Sequence, residues 1–346
     1  MTDPTFSASP VPAAASGDAP DWDGSTILIT GGTGSFGKKF VETVLERHRP
    51  RKLIIFSRDE LKQFEMAQVF RPADHPALRY FIGDVRDRER LYRAFDEVDI
   101  VVHAAAMKQV PTAEYNPIEA IRTNVDGASN IIDAAIDRGV KRVIALSTDK
   151  AVNPVNLYGA TKLCSDKLFV AGNHYAGPKR TRFSLVRYGN VVGSRGSVIP
   201  LFKRLKETGR LPITDDRMTR FWITLEQGVD LVLKALHRMG GGEVYVPKIP
   251  SMKITDLAKA IGPECELDVV GVRPGEKLHE VMITEDDARN TVEYDDHYTI
   301  LPEDLRMKRG ETESGGRRCE PNFRYSSETN DRWLTAEQLR EIADAA

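Results

Sequence analysis

Cysteine is scarce. The 346-residue chain has three, Cys164, Cys265 and Cys319, far apart and with no CxxC pair. That spacing gives neither a disulfide framework nor a zinc site, and no metal centre is expected. An excess of charge is missing too: 49 Lys and Arg stand against 51 Asp and Glu, a formal net charge of -2. Such a balance offers no electrostatic basis for binding nucleic acid or adhering to anionic membranes as a main activity. No apolar run is long enough to span a bilayer, and the N-terminus lacks the basic start and apolar core of a secretory signal, so a cytosolic (cytoplasmic) location is expected. What is present is a 41% hydrophobic composition, enough for a large core and, at this length, for two lobes.

Met1 to about Asp23 is rich in Ala, Ser, Pro and Asp without apolar period and reads as a disordered tail. Thr26-Ile27-Leu28-Ile29 then runs into Thr30-Gly31-Gly32-Thr33-Gly34-Ser35-Phe36-Gly37 and a helical pattern through Phe40, Val41, Val44 and Leu45. Strand, glycine turn and helix in that order, with Gly31, Gly34 and Gly37 spaced GxxGxxG, suit a tight turn whose backbone approaches a pyrophosphate. The next strand, Lys52 to Phe56, ends in Ser57-Arg58-Asp59. An NAD-selective fold usually puts an acid at that strand end, whereas Ser57 and Arg58 offer a hydroxyl and a guanidinium to a 2′-phosphate, so NADP is expected. Lys62 either adds a second charge or is simply solvated. After the strand Leu78–Ile82, Asp84 and Val85 either meet the adenine or, for Asp84, cap the following helix. After Asp99–His103, the small Ala104 and Ala105 let a cofactor lie against the backbone, and His103 reads as structural. Asn124, in a helical stretch from about Pro117 to Arg138, is placed to hydrogen-bond near the cofactor strand. Lys108 and Glu114-Tyr115 lie on a loop at the sheet's C-terminal edge, facing a substrate position.

The chemistry centres on Thr148 to Lys162. Arg142–Leu146 is a buried strand, and Asn153-Pro154 prevents its continuation, so Thr148 to Asn156 is a loop at a strand's C-terminal end. Ligand crevices of open α/β sheets lie there. The helix that follows carries Tyr158 and Lys162 on one face, a phenol beside an ammonium, whose charge favours the phenolate and makes the pair a tuned acid/base. The same loop sets a carboxylic acid beside an amine in Asp149-Lys150.

A sixth strand, Phe183–Arg187, precedes Tyr188-Gly189-Asn190, and the alternation of strands and helices predicts an α/β fold, a Rossmann-type doubly wound parallel sheet. Beyond Gly193 the rhythm breaks into shorter helices, such as Leu225 to Leu236 and Ile254 to Ile261, and short strands such as Glu243–Val246. The expected organisation is therefore a tail over 1–23, an NADP-binding domain over 24–193, a smaller substrate-binding lobe over 194–302 with some Rossmann elements returning there, and an extension over 303–346. The lobe offers Arg217, Arg220, Lys253, Arg273 and Glu276, with Lys277, around a diphosphate-bearing substrate. Pro302 to Glu328 reads as a surface tail, and a short helix at Thr335 to Ala343 as an assembly element.

TGGTGSFG, SRDE, LSTDK and YGATK together resemble the extended short-chain dehydrogenase/reductase superfamily. More narrowly, LSTDKAVNPVNLYGATKLCSDKLF, RYGNVVGSRGSVIP, RMTRFWIT, VPKIPSMK and RPGEKLHEVMI resemble the inverting UDP-N-acetylglucosamine 4,6-dehydratase family, which opens pseudaminic acid biosynthesis, from about Thr26 to Pro302. The resemblance implies UDP-N-acetylglucosamine as substrate, NADP as a recycled cofactor, a homo-oligomer, and catalytic positions at Thr148, Asp149, Lys150, Tyr158 and Lys162. It assigns Tyr158 to the C4 hydroxyl proton, Lys150 to the C5 hydrogen and Asp149 to the departing C6 hydroxyl. The family's Lys150 must then be neutral and Asp149 protonated, which needs only a proton passing from amine to carboxylate. Two rivals are a 4-epimerase of the same superfamily and an NADP-sensing module without chemistry. TDK argues against the first, and the intact YGATK against the second.

Overall fold

Thr26–Thr30 is buried at every position and forms strand β1. Helix α1, Ser35–Arg47, follows the glycine turn and turns Gly37, Phe40, Val41 and Val44 inward, the spacing of one helical face. The remaining strands of the first half are β2 (Lys52–Ser57), β3 (Leu78–Ile82), β4 (Ile100–His103), β5 (Arg142–Thr148) and β6 (Arg182–Tyr188). They pair in the order β6-β5-β4-β1-β2-β3, all parallel. The winding direction reverses between β1 and β4, so the C-terminal ends of those strands open a crevice that the connecting loops line. These observations come from a computed structural model that describes residues 20–192, 198–303 and 316–345.

The segment after residue 193 does not fold as one lobe. Helix Leu225–Arg238, started by a reciprocal Thr224–Gln227 cap, packs against α1, β5 and β6. Strand Val244–Pro247 then joins β6 in parallel. His297–Ile300, Thr291–Glu293 and Arg317–Arg318 extend the same sheet antiparallel, making ten strands in all. The lobe proper is smaller. It holds the parallel pair Arg210–Ile213 with Glu266–Val269 and the sheet of Asn190–Val191, Thr219–Ile223 and Ser251–Lys253. Their apolar faces close over a separate core containing Ile199, Phe202, Leu211, Trp222 and Leu257.

Both chain ends are more integrated than their composition implied. Trp22 is buried; its indole N–H donates to His237 Nε2 at 2.8 Å and its ring stacks on His48, so the fold begins before Gly24. The rest of the expected tail, residues 1–19, lies outside the described residues, as do 193–197 and 304–315. Within the extension, Tyr325–Ser326 pairs with strand Val281–Ile283, and the Tyr325 hydroxyl meets both the N–H and the carbonyl of Ile249 at 3.0 Å. The short helix expected as an assembly element forms as Ala336–Ala345, packs on helix Ile254–Ile261 and buries Leu339 completely. Among the described residues no helix is long and apolar enough to cross a membrane.

Candidate active site

β5 ends at Thr148, whose hydroxyl caps a single 3-10 turn, Asp149–Ala151. Asn153 takes a positive φ of 45°, and Asn156 caps the next helix, Leu157–Tyr175, through Gly159 N–H at 2.8 Å. A Cβ on Gly159 would run into the Lys150 carbonyl, so the glycine of YGATK lets the Thr148–Asn156 loop lie directly on the helix. Tyr158 and Lys162 are both buried on the face turned to this loop.

Asp149 has no exposed surface. Its Oδ1 accepts from the Thr148 hydroxyl at 3.0 Å and from Lys150 Nζ at 3.1 Å, while Oδ2 has no partner. Burial, reinforced by the charge of Glu280, pushes the Asp149 carboxyl above its usual range despite Lys150. Glu280, unassigned in the sequence reading although it lies in RPGEKLHE, is the second carboxylate of the site, with Oε1 3.3 Å from Lys150 Nζ. Burial works against the Lys150 ammonium, but Asp149 and Glu280 together hold it charged. Lys150 Nζ thus lies between two acids.

Tyr158 is buried as well. Burial pushes its phenol up to about 12; the Lys150 charge and the Thr148 hydroxyl oppose this, and Lys162 is not among the main influences. Lys162 is itself pulled down by burial, with Asp166 opposing.

A cleft of about 1180 Å³ runs from the glycine turn over these residues to the lobe. At its cofactor end Gly31 has φ +65°, and a Cβ there would lie 2.9 Å from the Ala105 backbone; a Cβ on Gly37 would strike the Gly32 carbonyl. The turn fits a pyrophosphate cradled on backbone, with Thr33, Gly34, Ser35 and Phe36 at the mouth of α1. Residues 27–302 match the model of a family described as polysaccharide biosynthesis protein. Over 324 residues the chain is 58% identical to an inverting UDP-N-acetylglucosamine 4,6-dehydratase of Campylobacter jejuni, covering 91% of this chain and 96% of that protein.

The chain belongs to this dehydratase family.

Among solved structures, Pen from Bacillus thuringiensis is similar at TM-score 0.86 and 36% identity, covering 94% of this chain and 99% of that one. DesIV, a dTDP-glucose 4,6-dehydratase of Streptomyces venezuelae with NAD bound, is similar at TM-score 0.64 and 25% identity, covering 73% and 86%. An NAD(P) dinucleotide is the cofactor class of the dehydratase family, and the cradle suits it.

Most family positions expected to meet ligands line the cleft. Ser57, Arg58, Lys62, Asp84, Val85, Ala104 and Ala105 surround its cofactor end, and Lys108, Asn190, Arg273 and Glu276 its substrate end, joined by Tyr188 and Trp222, which the sequence did not single out. Ser57 Oγ shares a hydrogen bond with Thr33 Oγ1 at 2.9 Å. Lys62 pairs with Asp59 at 2.6 Å, and Arg58 lies 3.6 Å from Asp84. Asp84 does not cap the next helix: it holds Arg86, and Asp87 is the cap.

Five of the positions expected to meet ligands, Asn124, Arg217, Lys253, Arg220 and Lys277, lie off the cleft lining or already have partners within the chain. Asn124 is buried off the cleft, where its amide accepts from Met107 N–H and donates to Met107 O and Thr161 Oγ1. The chain makes a five-residue π turn at Arg122–Asp126, and Thr123 takes the cleft position instead. Arg217 is exposed and forks onto Asp215, and Lys253 is exposed beside the cleft residues Met252 and Ile254. Arg220 reaches the cleft wall, but its guanidinium is spent on the carbonyls of Thr219, Lys277 and Leu278 and on Glu276. Lys277 likewise turns inward, to Val152 O at 2.5 Å and Glu280 at 3.6 Å. Lys277 fastens the 276–280 segment to the Thr148–Asn156 loop, and Arg220 fastens it to strand Thr219–Ile223.

Proposed function

We propose that the chain converts UDP-N-acetylglucosamine to the C5-inverted UDP-2-acetamido-2,6-dideoxy-β-L-arabino-hex-4-ulose, by C4 oxidation, loss of water across C5 and C6, and reduction at C6, with NADP recycled in each turnover. This would be the first step toward pseudaminic acid and surface glycans. The observation that carries the reading is the Lys150 amine, set in the cleft beside Tyr158 with the buried Asp149 carboxyl at 3.1 Å. When bound, the oxidised dinucleotide supplies the hydride acceptor for C4 and donor for C6, and its positive ring adds to the charges that favour the Tyr158 phenolate. Tyr158 takes the proton of the C4 hydroxyl. The ketone so formed acidifies the C5 hydrogen, which Lys150 removes once its resting proton has passed to Asp149 Oδ1. Asp149, whose burial favours the protonated carboxyl, returns that proton to the leaving C6 hydroxyl. Hydride return to C6 leaves an enolate that takes a proton at C5 from the opposite face, and Tyr158 gives up the proton it took at C4 to solvent, so that Lys150, Asp149 and Tyr158 end as they began. A 4-epimerase needs only the Tyr158 step and has no use for the acid/base pair behind it.

NADP in preference to NAD rests on Arg58, whose side chain is 63% exposed at the cofactor end and free to swing from Asp84 toward a 2′-phosphate. Assembly of like subunits is supported by the exposed apolar residues Tyr115, Ile118 and Ile121. The deciding experiment supplies substrate deuterated at C4, mixed with unlabelled substrate, and separately runs unlabelled substrate in heavy water. The C4 label should reappear at C6 of the same molecule, and solvent deuterium at an inverted C5. Retention of configuration at C5, or product epimerised only at C4, would refute the reading.

A further inference from the structure

We infer that Glu280 is a positioning residue for the elimination, holding the Lys150 nitrogen toward the cleft and stabilising the ammonium that Lys150 becomes on taking the C5 proton. The inference rests on the assignment of Lys150 as the C5 base. Lys150 Nζ lies 3.1 Å from Asp149 and 3.3 Å from Glu280, and its side chain is 26% exposed while both carboxylates are at or near zero. The two acids therefore hold the amine from behind and leave one direction, the cleft, for a substrate hydrogen.

The two acids are not equivalent. Around Glu280 stand Lys150 from the catalytic loop, Arg220 from the adjoining strand at 3.9 Å and Lys277 from its own segment at 3.6 Å, with Glu276 on the far side of Arg220. Burial would raise the Glu280 carboxyl, yet these three cations hold it low, whereas Asp149 is raised. Glu280 thus stays ionised while Asp149 accepts and donates. During elimination the C5–H bond breaks, its electrons pass into the enolate of the C4 ketone, and an N–H bond forms on Lys150 beside the Glu280 charge. The C6–O bond then breaks, and the Asp149 proton leaves with it as water. Glu280 itself is fastened from outside the catalytic loop: its N–H donates to Ser327 Oγ at 2.9 Å, and its carbonyl accepts from Ser327 N–H at 2.8 Å. The neighbouring His279 contacts Glu328 at 3.3 Å.

The test uses the full chain and the C5 epimer of the 4-keto product, which keeps the substrate's configuration at C5 and so presents that hydrogen to Lys150. That molecule already carries the ketone, so exchange of its C5 hydrogen in heavy water needs the Lys150 amine but no hydride transfer. Glu280→Gln should slow C5 exchange about ten- to a hundredfold, the equivalent of one charge-assisted hydrogen bond, with product affinity and the initial nicotinamide reduction retained. The rising limb of exchange against pH should move to lower pH, because the ammonium has lost a counter-charge. Glu280→Asp should recover part of the rate. Ser327→Ala should show the same signature more weakly, and serves if Glu280→Gln does not fold. Wild-type exchange in Glu280→Gln, or a parallel fall in every step with the pH limb unmoved, overturns the inference while leaving Lys150 in place. Undiminished exchange in Lys150→Ala would instead remove the base assignment beneath it.

Discussion

Replacing Asp149 with Asn separates the proposed acid from the rest of the site with little change of shape. The carboxylate has no exposed surface, and its Oδ1 bonds to Thr148 and Lys150 can be kept by an amide oxygen. The amide nitrogen would occupy the place of Oδ2, which has no partner, so Asp149→Asn should cost about 1–3 kcal/mol of stability for a buried donor left unpaired. The chemical consequence is larger. Lys150 loses the group that takes its resting proton and remains an ammonium beside Glu280, and no acid faces the C6 hydroxyl. Losing one positioned acid/base typically costs about 10²–10⁴ in rate, or about 3–5 kcal/mol of barrier at about 1.4 kcal/mol per tenfold. Oxidation at C4 does not use Asp149 and should persist. In a single turnover, absorbance of the reduced nicotinamide should therefore rise and stay high, while quenched samples show by mass spectrometry that water has not been lost. An Asp149→Asn enzyme that forms dehydrated product at the wild-type rate would remove Asp149 from the mechanism.

Arg58→Ala should weaken NADP binding about tenfold and leave NAD binding unchanged, measured by titrating each dinucleotide into protein stripped of cofactor; equal losses would show that Arg58 does not read the 2′-phosphate. His103 is buried against Phe169, with its Nδ1 2.8 Å from Thr30 Oγ1, and burial lowers its pKa to about 3. The unfolded chain, with an ordinary His near 6.5, binds a proton that the folded chain refuses. Stability from this residue is therefore whole above about pH 6.5 and falls by about 1.4 kcal/mol per pH unit below it, as far as pH 3. Urea unfolding of His103→Gln should accordingly lose about 2 kcal/mol less than wild type between pH 7 and pH 5. Leu339→Ala should destabilise the chain by about 2–5 kcal/mol; an unchanged melting temperature would mean that helix Ala336–Ala345 is not part of the folded lobe.

The first half of the fold was legible because its signals are local. β1, its glycine turn and α1 follow from adjacent residues, and the Tyr158 helix from a loop that Pro154 forces. The strand read at Glu243–Val246 forms as Val244–Pro247 and is one of the sheet elements expected to return in this stretch, although a strand buried on all sides carries the same apolar run in either lobe. Its parallel partner, β6, lies far back in the chain and leaves no local trace. Arg220 was read as a phosphate ligand for a similar reason, since the carbonyls that occupy it belong to Lys277 and Leu278. Asn124 was displaced from the cleft by a π turn that α-helical periodicity does not anticipate. The Tyr158–Lys162 spacing was legible as two positions on one helical face, whereas the place of Glu280 beside Lys150 depends on a segment more than a hundred residues further on.

Glu280 and Asp149 are brought together by bonds of long sequence separation. Lys277 reaches back across 125 residues to Val152, and Glu280 reaches forward 47 residues to Ser327. Contacts of this kind are entropically costly to close and form late, whereas β1 to β6 assemble from neighbouring units. The cofactor cradle should therefore gain protection from hydrogen exchange early in refolding, and the Lys150 cluster only when the segment around Ser327 docks. The same segment should detach at a lower denaturant concentration than the one that unfolds the sheet. A chain in that state would still bind dinucleotide yet lack the acid that keeps Lys150 in place, so cofactor retention and dehydration would be lost at different points along a denaturation curve.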